Sequence, residues 1–126
     1  MRKAAHYIYN GVPCKLHYIE VDQSGSLKGV FPLASEIAGT EFYDGVIFAL
    51  AKDEITLSPA QMLGQLKDIE KENPQLLLWD ILKLSGLVRE VLPGEQVVLF
   101  RLAGVNLPAA KLGASDSSRN CYIERL

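Results

Sequence analysis

The chain has 126 residues, 48% of them hydrophobic and 22% charged, which argues against a disordered chain and suits one domain, residues 1–126, with a core of its own. Its formal net charge of −2 supplies no basic field, so nucleic acid is not an expected partner. No segment approaches the ~18 consecutive apolar residues that cross a bilayer, and a membrane is not an expected partner either.

The N-terminal stretch MRKAAHYIYNG carries two positive charges but no apolar run behind them. It is not read as a signal peptide, and a cytoplasmic location is expected. The two cysteines, Cys14 and Cys121, stand far apart without CxxC spacing and are expected as reduced, packed thiols.

Residues 4–9 and 12–21 flank Asn10-Gly11, a strong hairpin signal because a type I′ turn needs positive φ at both central positions. With those two residues as the loop, Tyr9 faces Val12, Tyr7 faces Cys14 and Ala5 faces Leu16. That apolar face, with Tyr18 further along, is the expected core face. The other face carries His6, Ile8, Pro13, Lys15, His17 and Ile19 and should be more exposed. Pro13 would then sit opposite Ile8 at a non-hydrogen-bonded pair, where its missing N–H costs nothing.

The cluster Asp22-Gln-Ser-Gly-Ser26 reads as a turn. A third strand over residues 27–33 follows, with Gly29 as a bulge candidate and Pro32 marking its end or a sheet edge. Residues 34–40 make a short connection. Phe42-Tyr43 then leads to the turn-type pair Asp44-Gly45. The near-continuous apolar run at 46–51 should be the most buried strand of the first half.

Only residues 52–57 separate that run from Ser58-Pro59-Ala60-Gln61, a serine N-cap, a proline at the first helical position and a glutamine where a capping box wants one. Met62, Leu63, Leu66 and Ile69 continue at helical spacing. Lys67, Asp68, Glu70, Lys71 and Glu72 form what reads as a solvated face. Gly64 weakens the helix and suggests close packing there. Asn73-Pro74 breaks it. A second helical segment carries Leu77, Leu78, Ile81, Leu82 and Leu84, with little of the polar surface a DNA-reading helix needs.

Leu92-Pro-Gly-Glu95 is a turn. Residues 97–102 read as a buried strand with Arg101 as its only charge. Residues 106–118 are rich in Ala, Gly, Pro and Ser and read as a long loop or partly ordered excursion. Residues 120–126 form a last strand, Cys121 and Ile123 on one side, Tyr122 and Glu124 on the other.

Chemistry is sparse. There is no GxGxxG, no GxxxxGK[ST], no GxSxG and no HExxH, hence no signalled phosphate cradle, nucleophile elbow or zinc helix. The carboxylate pairs Asp53/Glu54 and Asp68/Glu72 stand in charged, solvated segments. The remaining metal-ligand or acid–base candidates are His6, His17 and Asp44. Both histidines are expected on one strand face and read foremost as half-exposed strand residues, while Asp44 reads foremost as a turn aspartate before Gly45. No cofactor is implied.

Several stretches taken together resemble a known family. His6-Tyr-Ile-Tyr9, Tyr18-Ile-Glu-Val-Asp22, Gly25-Ser-Leu27, Glu36-Ile-Ala38 and Glu41-Phe-Tyr-Asp-Gly-Val-Ile47 are similar to the N-terminal strands of the amidohydrolase superfamily, metal-dependent hydrolases that include cytosine-deaminase-like enzymes. Residues 58–74 with Leu78-Trp-Asp-Ile-Leu-Lys83 resemble the family's last barrel helices. Leu92-Pro-Gly-Glu-Gln-Val-Val-Leu-Phe100 resembles its PGKxADLVLxD strand, and residues 119–126 its C-terminal end.

The departures matter as much. After residues 46–50 the chain has neither the family's Pro-Gly-Phe nor its metal-binding His-x-His. The (β/α)₈ barrel that would follow takes roughly 200 residues or more. Neither His6 nor His17 stands at a family ligand position, so no metal ligand carries over. Ser85-Gly-Leu-Val-Arg-Glu90 replaces the family's TLNPAKALG stretch, Glu95 replaces its usual lysine, and Val98 stands where it often has aspartate.

What remains corresponds to the family's composite β domain. The expected fold is mainly β (α+β), a β-sandwich or pseudo-barrel formed jointly by N- and C-terminal strands, with a two-helix insertion at about 58–84. The expected role is non-catalytic binding or assembly, through a homo-oligomer or a protein partner. A small-ligand binder or hydrolase-related enzyme acting on C–N bonds through a new site is the alternative, as is a chain that completes a hydrolase in trans.

Overall fold

An uninterrupted apolar run can bury both faces of a strand only at the centre of a sheet, and residues 46–51 occupy that position. The computed structural model describes residues 1–34, 39–113 and 120–126. Its strands are β1 (Arg2–Tyr9), β2 (Pro13–Val21), β3 (Leu27–Pro32), β4 (Thr40–Ala51), β5 (Val97–Ala103) and β6 (Tyr122–Arg125). A 3-10 turn (Lys52–Glu54) and the helices α1 (Pro59–Glu72) and α2 (Leu78–Ser85) lie between β4 and β5. The strands form one six-stranded sheet in the order β3-β2-β1-β4-β5-β6. Only β1 and β4 run parallel; the other neighbours are antiparallel.

The mainly β, α+β architecture is therefore present, and both chain ends contribute to one sheet. Of the sandwich and the pseudo-barrel, the sheet approaches the second. It is not closed, but at one end the start of β3 meets the start of β5. The Leu27 N–H donates to the Glu95 carbonyl at 2.8 Å, the Gly94 N–H to the Leu27 carbonyl at 2.8 Å and the Val97 N–H to the Gly25 carbonyl at 3.0 Å.

The bend gives the sheet two apolar sides. On one, Tyr9, Val46, Phe48, Phe100 and Leu102 pack against Met62 and Leu66 of α1 and against Leu78, Ile81 and Leu82 of α2. On the other, Ala5, Ile8, Ile19, Leu27, Ile47, Val97 and Leu99 fill the concave interior. Each large side chain so buried contributes roughly 1.5–3 kcal/mol relative to exposure.

The first hairpin departs from its expected register. Tyr9 pairs with Pro13 and Ile8 with Cys14, so Asn10, Gly11 and Val12 all belong to the loop. The Asn10 side chain is the cause. Its Nδ2 donates to the Val91 carbonyl at 3.1 Å and its Oδ1 accepts from the Val91 N–H at 2.7 Å. Gly11 has a φ of 81°, while Asn10 does not take the positive φ that a type I′ turn requires. The slip turns Cys14 onto the face of Ile8, and the positive φ of Leu16, 52°, breaks the alternation behind it, so Ile19 stays in the buried cluster with Ile8 while Leu16 is exposed. Ile8 is buried because β1 is covered on both sides.

Three further expectations are corrected. Asp44-Gly45 is not a turn but lies within β4. Glu70 is not on the solvated face: it is buried and accepts from the Gly113 N–H at 3.1 Å. Gly64 marks no close packing, since a Cβ built there meets nothing within 4 Å.

The capping box forms in full, Gln61 N–H to Ser58 Oγ at 3.2 Å and Ser58 N–H to Gln61 Oε1 at 2.9 Å. α2 stops at Gly86, which adopts a left-handed φ of 67°. In the long loop, Asn106 and Lys111 exchange backbone hydrogen bonds at 3.0 and 2.9 Å. Residues 35–38 of the connection before β4 and 114–118 of the long loop lie outside the described residues. Among the described residues no helix is long and apolar enough to cross a membrane.

Candidate functional site at a strand bulge

The ladder between β1 and β4 runs regularly up to Ala5 with Tyr43 and resumes at Tyr7 with Val46. His6 therefore stands opposite two residues, Asp44 and Gly45, a β-bulge. In β2 the register against β1 is the same on either side, Ala5 with His17 and Tyr7 with Lys15, but Leu16, between those partners, has a φ of 52°. A line of distortion thus crosses three neighbouring strands. Glycine is required on it: Gly45 has a φ of 99°, and a Cβ there would collide with the Leu102 carbonyl oxygen of β5.

The bulge brings two of the sequence candidates together. His6 Nδ1 lies 3.4 Å from Asp44 Oδ1 and 3.4 Å from the Gly45 N–H nitrogen. When the imidazole is neutral at Nδ1, that nitrogen accepts from Gly45; when protonated, it donates to Asp44. Phe42 meets the His6 ring edge to face, with centroids 5.3 Å apart. Arg101 of β5 donates from Nη1 to the Asp44 carbonyl at 3.2 Å, which fixes the backbone of the bulge. The Asp44 carboxylate itself stands in water, so its pairing with His6 contributes at most about 1 kcal/mol.

These residues open onto a cleft of about 510 Å³. His6, Asp44 and Lys15 supply its polar groups, and Tyr7, Val105 and Leu107 its apolar wall. Gly104, at a φ of 75°, turns the chain at the end of β5 so that Val105 and Leu107 reach the cleft.

His17 is elsewhere. It lines a separate cleft of about 280 Å³ with Cys14 and Glu90, while the bulge holds His6 beside Tyr7, so the two histidines do not share a site. The Nδ1 of His17 lies 2.8 Å from the Lys15 carbonyl, an acceptor, so Nδ1 is the donor of that contact. Among the described residues, no three His, Cys, Asp or Glu side chains converge as a metal ligand set.

Of the acidic candidates, Glu54 is engaged by a cation. Glu54 and Glu95 both engage Arg89, at 3.0 and 2.7 Å. Arg89 and the Leu92 N–H hold the Glu95 carboxyl down at about 2. Both cysteines are free. Cys121 is buried, and burial pushes its thiol up to about 11, which leaves it unreactive near neutrality.

A cation–aromatic ladder across β1, β4, β5 and β6 lies beside the site. Lys3 Nζ sits 5.0 Å from the Tyr43 ring centroid, and the Arg101 guanidinium 5.8 Å from Tyr43 and 5.5 Å from Tyr122. Lys3 donates to the Tyr43 hydroxyl at 2.9 Å and to Glu41 at 3.2 Å. Burial disfavours the Lys3 charge, but these bonds outweigh it and its pKa is raised. Arg101 donates to Glu124 and to the Tyr122 hydroxyl, each at 2.7 Å. The signal was a lone charge in a buried strand, Arg101; the part it plays depends on pairings that adjacent sequence does not reveal.

Comparison with protein-family models, curated proteins and solved structures finds no significant match to this chain.

Proposed function

We propose that the chain is a binding or assembly domain built like the composite β domain of the amidohydrolases, a relative of those metal-dependent hydrolases without a barrel of its own. The observation that carries this reading is the ladder between the two halves, from Val46 opposite Leu102 to Ala51 opposite Val97. In the family, the strand resembled by Tyr43–Ile47 leads into the barrel. Here β4 passes through Lys52–Glu54 into the capped helix α1 and returns as β5.

Assembly has a candidate surface. Phe31 of β3 faces Tyr18 of β2, Tyr18 faces Ala4 of β1, and Ala4 faces Phe42 of β4. Phe31 is 39% exposed, Phe42 54% and the nearby Leu16 48%, an apolar row of the kind that marks association surfaces. Sedimentation velocity of the wild-type chain and of a Phe31→Ser/Phe42→Ser variant tests it. A species heavier than the 13.9 kDa chain, reduced to monomer by the double substitution, is expected. A wild type that stays monomeric at every concentration contradicts self-assembly.

One observation favours a second reading, a small-ligand site: the bulge gathers His6, Asp44 and Lys15 at a single cleft. Its volume lies within the ~300–1,000 Å³ usual for such sites.

A further inference from the structure

We propose that the cleft at the bulge binds a small zwitterion of the apolar amino-acid type, its carboxylate on Lys15, its ammonium on Asp44 and its apolar body on the wall of Tyr7, Val105 and Leu107. The proposal rests on the reading of this cleft as a ligand site and names what it would take.

The charges come first. The Lys15 side chain is exposed and its ammonium has no hydrogen-bond or ion-pair partner among the described residues. The Asp44 carboxylate lies 3.4 Å from His6 through Oδ1 and its side chain is 86% exposed, which leaves it open to a ligand. One free cation and one half-engaged anion therefore line the same cleft. A simple anion placed there would meet Asp44 as well as Lys15, and a simple cation the reverse. A molecule carrying both signs satisfies both groups.

The spacing agrees. Lys15 stands opposite Tyr7 of β1, and Asp44 bulges beside His6 on the other side of β1. Two strand spacings separate them, on the order of 10 Å between backbones. The flexible four-carbon stem of lysine lets its ammonium travel inward over most of that distance, so the two charged groups can address an α-carboxylate and an α-ammonium on one carbon.

The wall selects the body of the ligand. Val105 is buried against the core, and Tyr7 and Leu107 pack beside it. Valine, leucine and the tyrosine ring offer mostly hydrocarbon, which suits a branched or aromatic side chain rather than a polar one. Asp44 is held for this role on two sides, by His6 at its carboxylate and by Arg101 at its carbonyl.

The test is an amide-resolved NMR titration of the ¹⁵N-labelled chain with L-phenylalanine, N-acetyl-L-phenylalanine (no ammonium) and L-phenylalaninamide (no carboxylate). L-phenylalanine should shift the amides of Gly45, Gly104 and Val105, and each blocked analogue should bind roughly tenfold more weakly. Lys15→Gln should weaken phenylalanine while leaving the amide nearly unchanged, and Asp44→Asn should do the same relative to the N-acetyl compound. Both side chains are exposed, so an otherwise unaltered spectrum verifies that each variant is folded. Equal binding of all three compounds overturns the zwitterion assignment and leaves the cleft a ligand site. Absence of shifts with any of them overturns both.

Discussion

Two glycines separate what a residue type does from what its position does. Gly64 sits in the middle of α1 with free space where a Cβ would go, so it contributes only backbone entropy cost. Gly64→Ala should raise the unfolding free energy by about 0.5–1 kcal/mol in urea. Gly45→Ala should lower it by about 2–3 kcal/mol or more, because a positive φ and the Leu102 carbonyl both oppose a Cβ. Equal effects at the two positions would contradict the bulge geometry. At Glu95, the carboxyl is held at about 2 against an ordinary 4.5. A folded value below the unfolded one means that the contribution is whole above about pH 4.5 and is lost as the pH falls towards 2. The stability gap between wild type and Arg89→Met should therefore be constant near neutrality and close through that acid window. A gap that persists below it contradicts the pairing.

Such residue-scale facts were only partly legible in the sequence. His6 and Asp44 were singled out for their chemistry, and the structure brings them within 3.4 Å. A two-residue turn with regular alternation puts His17 on one face with His6, and the bulge at His6 and the positive φ of Leu16 break that alternation, so the two line different clefts. Glu70 was read with the charged face because helical spacing does not disclose that Gly113 returns to meet it.

Elements whose signals are local were the readable ones. Ser58-Pro59-Ala60-Gln61 specified the start of α1 through contacts three residues apart, and both bonds are made. Ser58→Ala should cost about 1 kcal/mol, read from thermal unfolding; a change near zero would mean that tertiary packing alone holds the helix end. The apolar run at 46–51 announced a doubly covered strand. The hairpin failed for the opposite reason. Asn10-Gly11 is a strong local turn signal, but the Asn10 amide is claimed by Val91, 81 residues away. Asp44-Gly45 likewise carries a turn signature, and only its neighbours on β1 and β5 make it a bulge.

The architecture of the whole molecule follows from which halves need each other. β1 to β3 present apolar residues on both sides, and among the described residues of the first half only β1 pairs with β4. β5 supplies that cover, and the contact of Leu27 with Glu95 and of Gly25 with Val97 draws the sheet around its interior. The need of unpartnered strands for cover is the physical reason for this joint construction. The cleft then falls where the bulge of β4 meets the end of β5, so the candidate site itself depends on the two halves being joined.

The most direct measurement is the set of cross-strand NOEs and slow-exchanging amides along β4 and β5. Val46 should give contacts to Leu102, Phe48 to Phe100 and Leu50 to Val98, with the amides of both strands among the last to exchange. If the two strands exchange independently and show no such contacts, the ends form separate sheets, and the composite-domain reading falls together with the site built on it.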